Sequence, residues 1–362
     1  MASNKNQHYV PQCYLRQFSS EASSAAINLF NIDRKRLIKC APIKNQCSKN
    51  YFYGKDLRLE KALQPIEGEY SSAVKEISEP RYCLTDEHRT LLKHFWLLQN
   101  MRTEAASKRS IEMREEMGEV ARIEPKEYRM ELNQAVQESM ELFVQQMGVV
   151  DDLKICLLKN KTNIDYITSD DPAVLTNRWH LSKKRVKGVS FGLGSAGIII
   201  LLPLTPRVMC VGYDRHVYSM AHKKGWIDVR DESDVKAYNE HQFLNCRANI
   251  FIKGENEQTE LSTLFDSIEK HRPEARHRIN CAILDKNENG FKSYRVVNRD
   301  EAGEHEEAVI HCQMVNATPN HWPKQIRWRN GGFVYNNDSG VGYIRQSKAK
   351  TMPNDGFRKE PA

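Results

Sequence analysis

What most limits the fold of this chain is a change in hydrophobic period near its middle. From residue 56 to about 148, apolar residues recur at three- and four-residue steps; from 153 to 253 they gather in short runs broken by polar turn residues. The first pattern builds amphipathic helices and the second builds strands. Leu59, Leu63, Ile66, Tyr70, Val74 and Ile77 form one stripe over 56–79. Pro65 inside it predicts a kink or a helix start near Gln64. Thr85 is a good N-cap, with Asp86 and Glu87 in the positive first turn, and the following helix is expected to run to about Met117. A third helix is expected from Pro125 to Met147, ending at Gly148.

Beyond residue 150, LKICLLKN and NIDYITSD predict a hairpin, and GIIILLPL and RVMCVGYD two more strands with a corner at Leu204-Thr205-Pro206. A helix over 234–245 and a strand over 249–253 follow. Ahead of the helices, residues 26–43 read as strand, turn at 33–35, strand. The expected class is α+β: a core domain over 1–255, whose helical half (56–148) packs on a mixed or antiparallel sheet (153–253), and a less ordered extension over 256–362. That extension has strand signals at INCAILD, YRVVN and AVIHCQMV, and its tail after Gln346 is expected to be disordered.

The longest strongly apolar run, Ala196 to Leu202, is far short of the roughly 20 residues a membrane helix needs. The opening MASNKNQHYV has no apolar signal core, so no export and a cytoplasmic location are expected. Nine cysteines include no C-x-x-C pair, which argues for reduced thiols rather than a zinc site. Lysine and arginine exceed aspartate and glutamate by 54 − 47 = 7. Residues 178–187 hold five cations and no acid, so Lys183, Lys184 and Arg185 read as a flexible loop that attracts phosphate backbones, or simply as a solvated one. Phosphate-loop, dinucleotide, H-E-x-x-H and G-x-S-x-G signatures are absent.

Four places could carry chemistry. His8, in the run His8-Tyr9-Val10-Pro11-Gln12, is a candidate acid, base or phosphate contact; the plain alternative is a segment tied down by aromatic packing. On the helix after Thr85, Arg102 falls within about 20° of the apolar stripe of Leu91, Phe95 and Leu98, with Gln99 on its edge. A guanidinium facing a core needs a partner. Glu60 and Glu67, two turns apart on one edge of the preceding helix, can supply it. This would be either a register-fixing ion pair or an anion-binding arginine beside a working glutamate. Thr168-Ser169-Asp170-Asp171-Pro172 ends a strand in two carboxylates, of which Asp170 is the more plausible site residue and Asp171 the turn residue. Asn239 and Asn245, about 240° apart around a helix, are not expected to share one site.

The run from His8 to Phe18 resembles the opening signature of a widespread, mostly bacterial family of uncharacterised proteins, the HYVPQ-type family known as domain of unknown function 4238. Glu60 and Glu67, Gln99-Asn100-Met101-Arg102-Thr103, Thr168 to Pro172, Pro203-Leu204-Thr205-Pro206, and Asn239 with Asn245 fall where that family has comparable segments, with Asp171 in place of the usual Asn. The resemblance covers about residues 7–255 and brings His8, Glu67, Arg102 and Asp170 into one expected site. It also implies, by analogy with a defence-type setting, an antiviral effector acting as a nuclease.

The expected function is therefore a nuclease-like hydrolase, with catalytic His8, Glu67, Arg102 and Asp170. Glu67 and Asp170 would hold a divalent metal (Mg²⁺ or Mn²⁺) or activate water, and Gln12, Gln99, Asn239, Asn245 and the basic loop would bind substrate. The alternative is a binding module for a nucleotide, another small anion or a partner protein; partners would be nucleic acid, a protein or a second copy of the chain, and not a membrane.

Overall fold

The computed structural model describes residues 5–20, 24–186, 189–254, 257–288, 291–303, 305 and 308–362. In chain order the first elements are strand β1 (Asn6–His8), helix α1 (Gln12–Leu15), strands β2 (Ala26–Asn31), β3 (Arg36–Pro42) and β4 (Ser48–Asn50), and helices α2 (Arg58–Ile77), α3 (Asp86–Arg102), α4 (Glu104–Val120), α5 (Pro125–Tyr128) and α6 (Leu132–Gln146). Next come β5 (Lys154–Asn160), β6 (Thr168–Ser169), β7 (Val174–Thr176), α7 (Arg178–Ser182), β8 (Ile199–Thr205), β9 (Val208–Tyr213), β10 (Tyr218–Ser219), β11 (Trp226–Val229), α8 (Glu232–Asn245) and β12 (Asn249–Ile252). The C-terminal part holds α9 (Gln258–Glu269), β13 (His277–Glu288), β14 (Phe291–Val297), α10 (Arg299–Gly303), β15 (Ala308–Met314), β16 (Arg327–Trp328), β17 (Phe333–Asn336), α11 (Gln346–Lys350) and β18 (Arg358–Pro361). The fold is α+β.

The central sheet runs β11-β5-β9-β8-β7, with β11 parallel to β5 and the other pairs antiparallel. Both of its faces are covered, which is why its strands read as unbroken apolar runs. Ile155, Leu157, Ile200, Leu202 and Cys210 face a core shared with α2, α3 and α6. The alternate residues Cys156, Leu158, Ile199, Leu201 and Met209 face a second core completed by Ile326 and Val334. A four-stranded antiparallel sheet, β3-β2-β12-β6, joins the N-terminal strands to the 165–172 segment. No helix among the described residues is long and apolar enough to cross a membrane.

Several expectations need correction. α2 starts at Arg58, well before Gln64, and carries Pro65 inside it. The helix expected to reach Met117 ends at Arg102: Thr103 leaves helical geometry at ψ 158° and its hydroxyl caps α4 by accepting from Ala106 N. The third helix breaks likewise before Leu132, where Glu131 and Gln134 form a capping box. Strands β5 and β6 are not a hairpin, because they belong to different sheets. The tail beyond Gln346 is not disordered: β18 pairs with β17, and Arg345 just before α11 is 2% exposed. The second face of the central sheet needs cover, and Ile326 and Val334, ahead of this tail, supply it with Ala362 packed alongside.

Candidate functional site

The site forms where the C-terminal end of α3 meets α2 and the strand β1. Tyr70 on α2 stacks on Phe95 of α3 at a centroid distance of 3.7 Å, fixing the two helices side by side. Two turns further along α3, Arg102 points inward and is 1% exposed. Its Nη2 lies 2.9 Å from Glu67 Oε1 and donates at 2.9 Å to the carbonyl of His8. Its Nε donates to the Tyr53 hydroxyl at 2.8 Å, and that hydroxyl donates to the same His8 carbonyl. Gln7 completes the clamp, accepting from Tyr53 N and donating to Gly54 O. His8, Tyr53, Glu67 and Arg102 are thus one hydrogen-bonded unit, built from a strand, a loop and two helices. Tyr53 and Gln7 escaped the sequence reading because neither lies in an apolar stripe or a charged pair.

His8 in this unit and Glu60 beside it have altered proton affinities. Burial lowers the His8 imidazole below its usual 6.5; a hydrogen bond to the Lys44 backbone opposes this, and the charges of Arg102 and Arg16 add to it. Burial and the neighbouring Glu67 raise the Glu60 carboxyl, against the pull of Arg102. Some hydrogen-bonding capacity is left over. Among the described residues His8 Nε2, Arg102 Nη1, the Tyr70 hydroxyl and both amide atoms of Gln99 are buried without a partner. Such atoms are uncommon in folded proteins.

The remaining expected site residues sit elsewhere. Asp170 does not join Glu67. Its two oxygens accept from the backbone N–H groups of Arg247, Ala248 and Asn249 at 2.8–2.9 Å, tying the turn before β12. Burial raises its pKa to about 6 against those bonds. Asp171, assigned to the turn, is the carboxylate with charged and hydroxyl partners: it is fully buried, 2.5 Å from Arg109 Nη1, and accepts from Thr103 Oγ1 at 2.8 Å. It anchors the α3–α4 break one residue past Arg102. Asn239 and Asn245 do share a target, contrary to the helical-wheel reading, because the 165–172 segment runs along α8. Asn239 bonds Ile167 N and Asp165 O, and Asn245 bonds Asp171 O, with Gln242 between them on Ser169 and Pro172 O. Their amides are engaged in holding that segment to α8. Gln12 accepts from Arg16 Nη2 at 3.3 Å.

The basic loop is not a free tether. Arg178 stacks over Trp328 at 5.0 Å, Lys183 lies 5.2 Å from the same ring, and Arg185 lies 5.0 Å from the Trp179 ring and 3.8 Å from Glu360. Lys184 is exposed, and Lys187 lies outside the described residues. Among the described residues no group of three or more His, Cys, Asp or Glu is placed to hold a metal ion. With Glu67 on Arg102 and Asp170 on three backbone donors, the expected ligand pair does not fit a divalent cation.

A family model described as "Protein of unknown function (DUF4238)" matches residues 6–256. Neither a curated protein nor a solved structure matches the chain.

Proposed function

Since the chain belongs to that family, DUF4238, whose description assigns no activity, we propose from the site itself that it is a nuclease-like hydrolase acting on nucleic acid. The carrying observation is the unpaired Nε2 of His8, a residue whose backbone carbonyl shares Arg102 Nη2 with the Glu67 carboxylate. In this reading Arg102 is a positioning residue. Its charge is committed to Glu67, so it does not neutralise phosphate as the sequence suggested. His8 takes a proton from the attacking water as its oxygen bonds phosphorus, and Glu60, held toward its protonated form, returns one to the leaving oxygen as its bond to phosphorus breaks. The exposed cations Arg16, Lys55, Arg58 and Lys61 on the flanking segments supply backbone attraction.

The test is incubation of labelled RNA and single-stranded DNA with the protein, in EDTA and with Mg²⁺ or Mn²⁺. Cleavage is expected, reduced roughly 10²–10⁴-fold in His8→Ala and in Glu60→Gln, the usual worth of an acid or base. Absence of product from either polymer in every condition, with folded protein, overturns the reading. A second reading rests on Gln99, whose amide is buried with both atoms free, and on Arg102 Nη1: these groups bind a small polar ligand without turnover. Thermal stabilisation by an anion with no product formed would favour it.

A further inference from the structure

The first turns of α3 border a cavity of about 590 Å³ that the proposed active site does not use. Its wall carries Arg89 and Lys93 from α3, Lys154 at the start of β5, and Arg215, His216 and Arg329 from loops at the far end of the sheet. Lys93 is 8% exposed, and its ammonium donates only to the Asp151 carbonyl at 2.6 Å. Arg89 pairs at 3.4 Å with Asp86, which is almost wholly exposed, and its Nη1 is buried without a partner. Among the described residues no carboxylate lies within ion-pair distance of Lys93, Lys154, Arg215 or Arg329.

Two acids line the same cavity, and each has a partner outside its cationic wall. Asp151 pairs with His94 at 2.9 Å, and Asp152 with Arg345 at 2.9 Å and with the Ser347 hydroxyl. Burial lowers the imidazoles of His216 and His222; at His216 the carboxylates of Asp214 and Asp152 oppose this while Arg215 and Arg329 add to it, and at His222 Lys154 and Arg89 add to it. Lys154, Arg215 and Arg329 are exposed, whereas Lys93 and the Arg89 Nη1 are buried, and a buried cationic group costs free energy unless an anion or an acceptor balances it. Tyr213 adds an aromatic wall, and the volume falls in the usual range for small-molecule sites.

We propose that this cavity is an anion site that receives the phosphates of a nucleotide-sized ligand, either a free nucleotide or the end of a nucleic-acid strand. Arg89 and Arg102 are thirteen residues apart on α3, about 20 Å along the axis. The site is therefore separate from the His8 centre, and binding there does not depend on cleavage.

Calorimetric titration of the full chain with inorganic phosphate, ATP, adenosine and a single-stranded oligonucleotide tests this at fixed ionic strength. ATP is expected to bind and adenosine not to bind. Arg215 and Arg329 are exposed, so the double variant Arg215→Ala/Arg329→Ala should fold normally and weaken ATP at least tenfold. His8→Ala should leave this binding unchanged. Competition between oligonucleotide and ATP assigns the strand end as a source of the phosphate; ATP binding without competition assigns the free nucleotide. If the wild type binds none of the phosphate-bearing probes, or if the double variant binds ATP as tightly as the wild type, the proposal fails.

Discussion

Arg102 and Glu67 meet at 2.9 Å with unequal exposure: the guanidinium side chain is 1% accessible and the carboxylate side chain 26%. The cation therefore bears the larger desolvation, and the pair is worth most as a device that prevents an orphan charge. Glu67→Ala should cost about 3 kcal/mol, the lower end for breaking a buried pair, because water reaches the vacated position. Adding Arg102→Met removes the stranded charge and should recover part of that loss; the His8 carbonyl still accepts from Tyr53. Urea unfolding of the two single variants and the double variant measures the coupling. If the double variant loses as much as the sum of the singles, the residues are not energetically linked.

Acid sensitivity follows from two histidines remote from the site. Burial lowers His180 and His241 to about 4. Between pH 6.5 and 4 the unfolded chain binds protons at these positions that the folded chain refuses, so stability falls as pH falls. Each contributes up to about 1.4 kcal/mol per pH unit in that window. Asp170 works in the opposite sense below pH 6, where its folded form, raised to about 6, holds a proton that the unfolded carboxyl releases. Of these three groups the two histidines outweigh the one carboxyl, so together they leave stability rising with pH between 4 and 6. His241→Phe, at a position already packed against Trp322, should hold a higher urea midpoint at pH 5 relative to pH 7 than the wild type does. Equal shifts in both proteins would show that His241 is not the titrating group.

The meeting of Arg102 with Glu67 was legible because a cation in an apolar stripe has few physical solutions, and the glutamates on the neighbouring helix were at hand. The alternation that covers both faces of the central sheet was legible only in part. Continuous runs such as Gly197 to Leu204 announce burial on both sides without saying what lies on each. Local turn chemistry shows neither partner of the two aspartates: the backbone of residues 247–249 for Asp170 and the side chain of Arg109 for Asp171. Thr103 carried a usable signal, a hydroxyl residue followed by Glu104 inside a long helical pattern, which marks a second N-cap. The C-terminal segment hid its structure behind a polar composition. Its few apolar anchors, Ile326, Val334 and Ile344, are too sparse to show a period, yet all three are buried.

That segment gives the last prediction. Arg345 is 2% exposed and binds Asp152 through Nε at 2.9 Å, while its terminal nitrogens donate to the carbonyls of Val149, Leu193 and Ser195. These partners come from the end of the helical half and from the loop before β8, so one side chain closes the tail against the core. Arg345→Ala leaves Asp152 with only Ser347 among these contacts and three carbonyls short of a donor, which should cost about 3–5 kcal/mol. Arg358→Ala is the control: its pair with Asp338 is more than two-thirds exposed at both side chains, so the change should stay within about 0.5 kcal/mol. Removing residues 320–362 should go further than Arg345→Ala, because it strips Ile326 and Val334 from the second face of the central sheet. Thermal unfolding of the three proteins ranks them. A truncated chain as stable as the wild type would mean that residues 5–319 close their own core and that the tail is only an attachment.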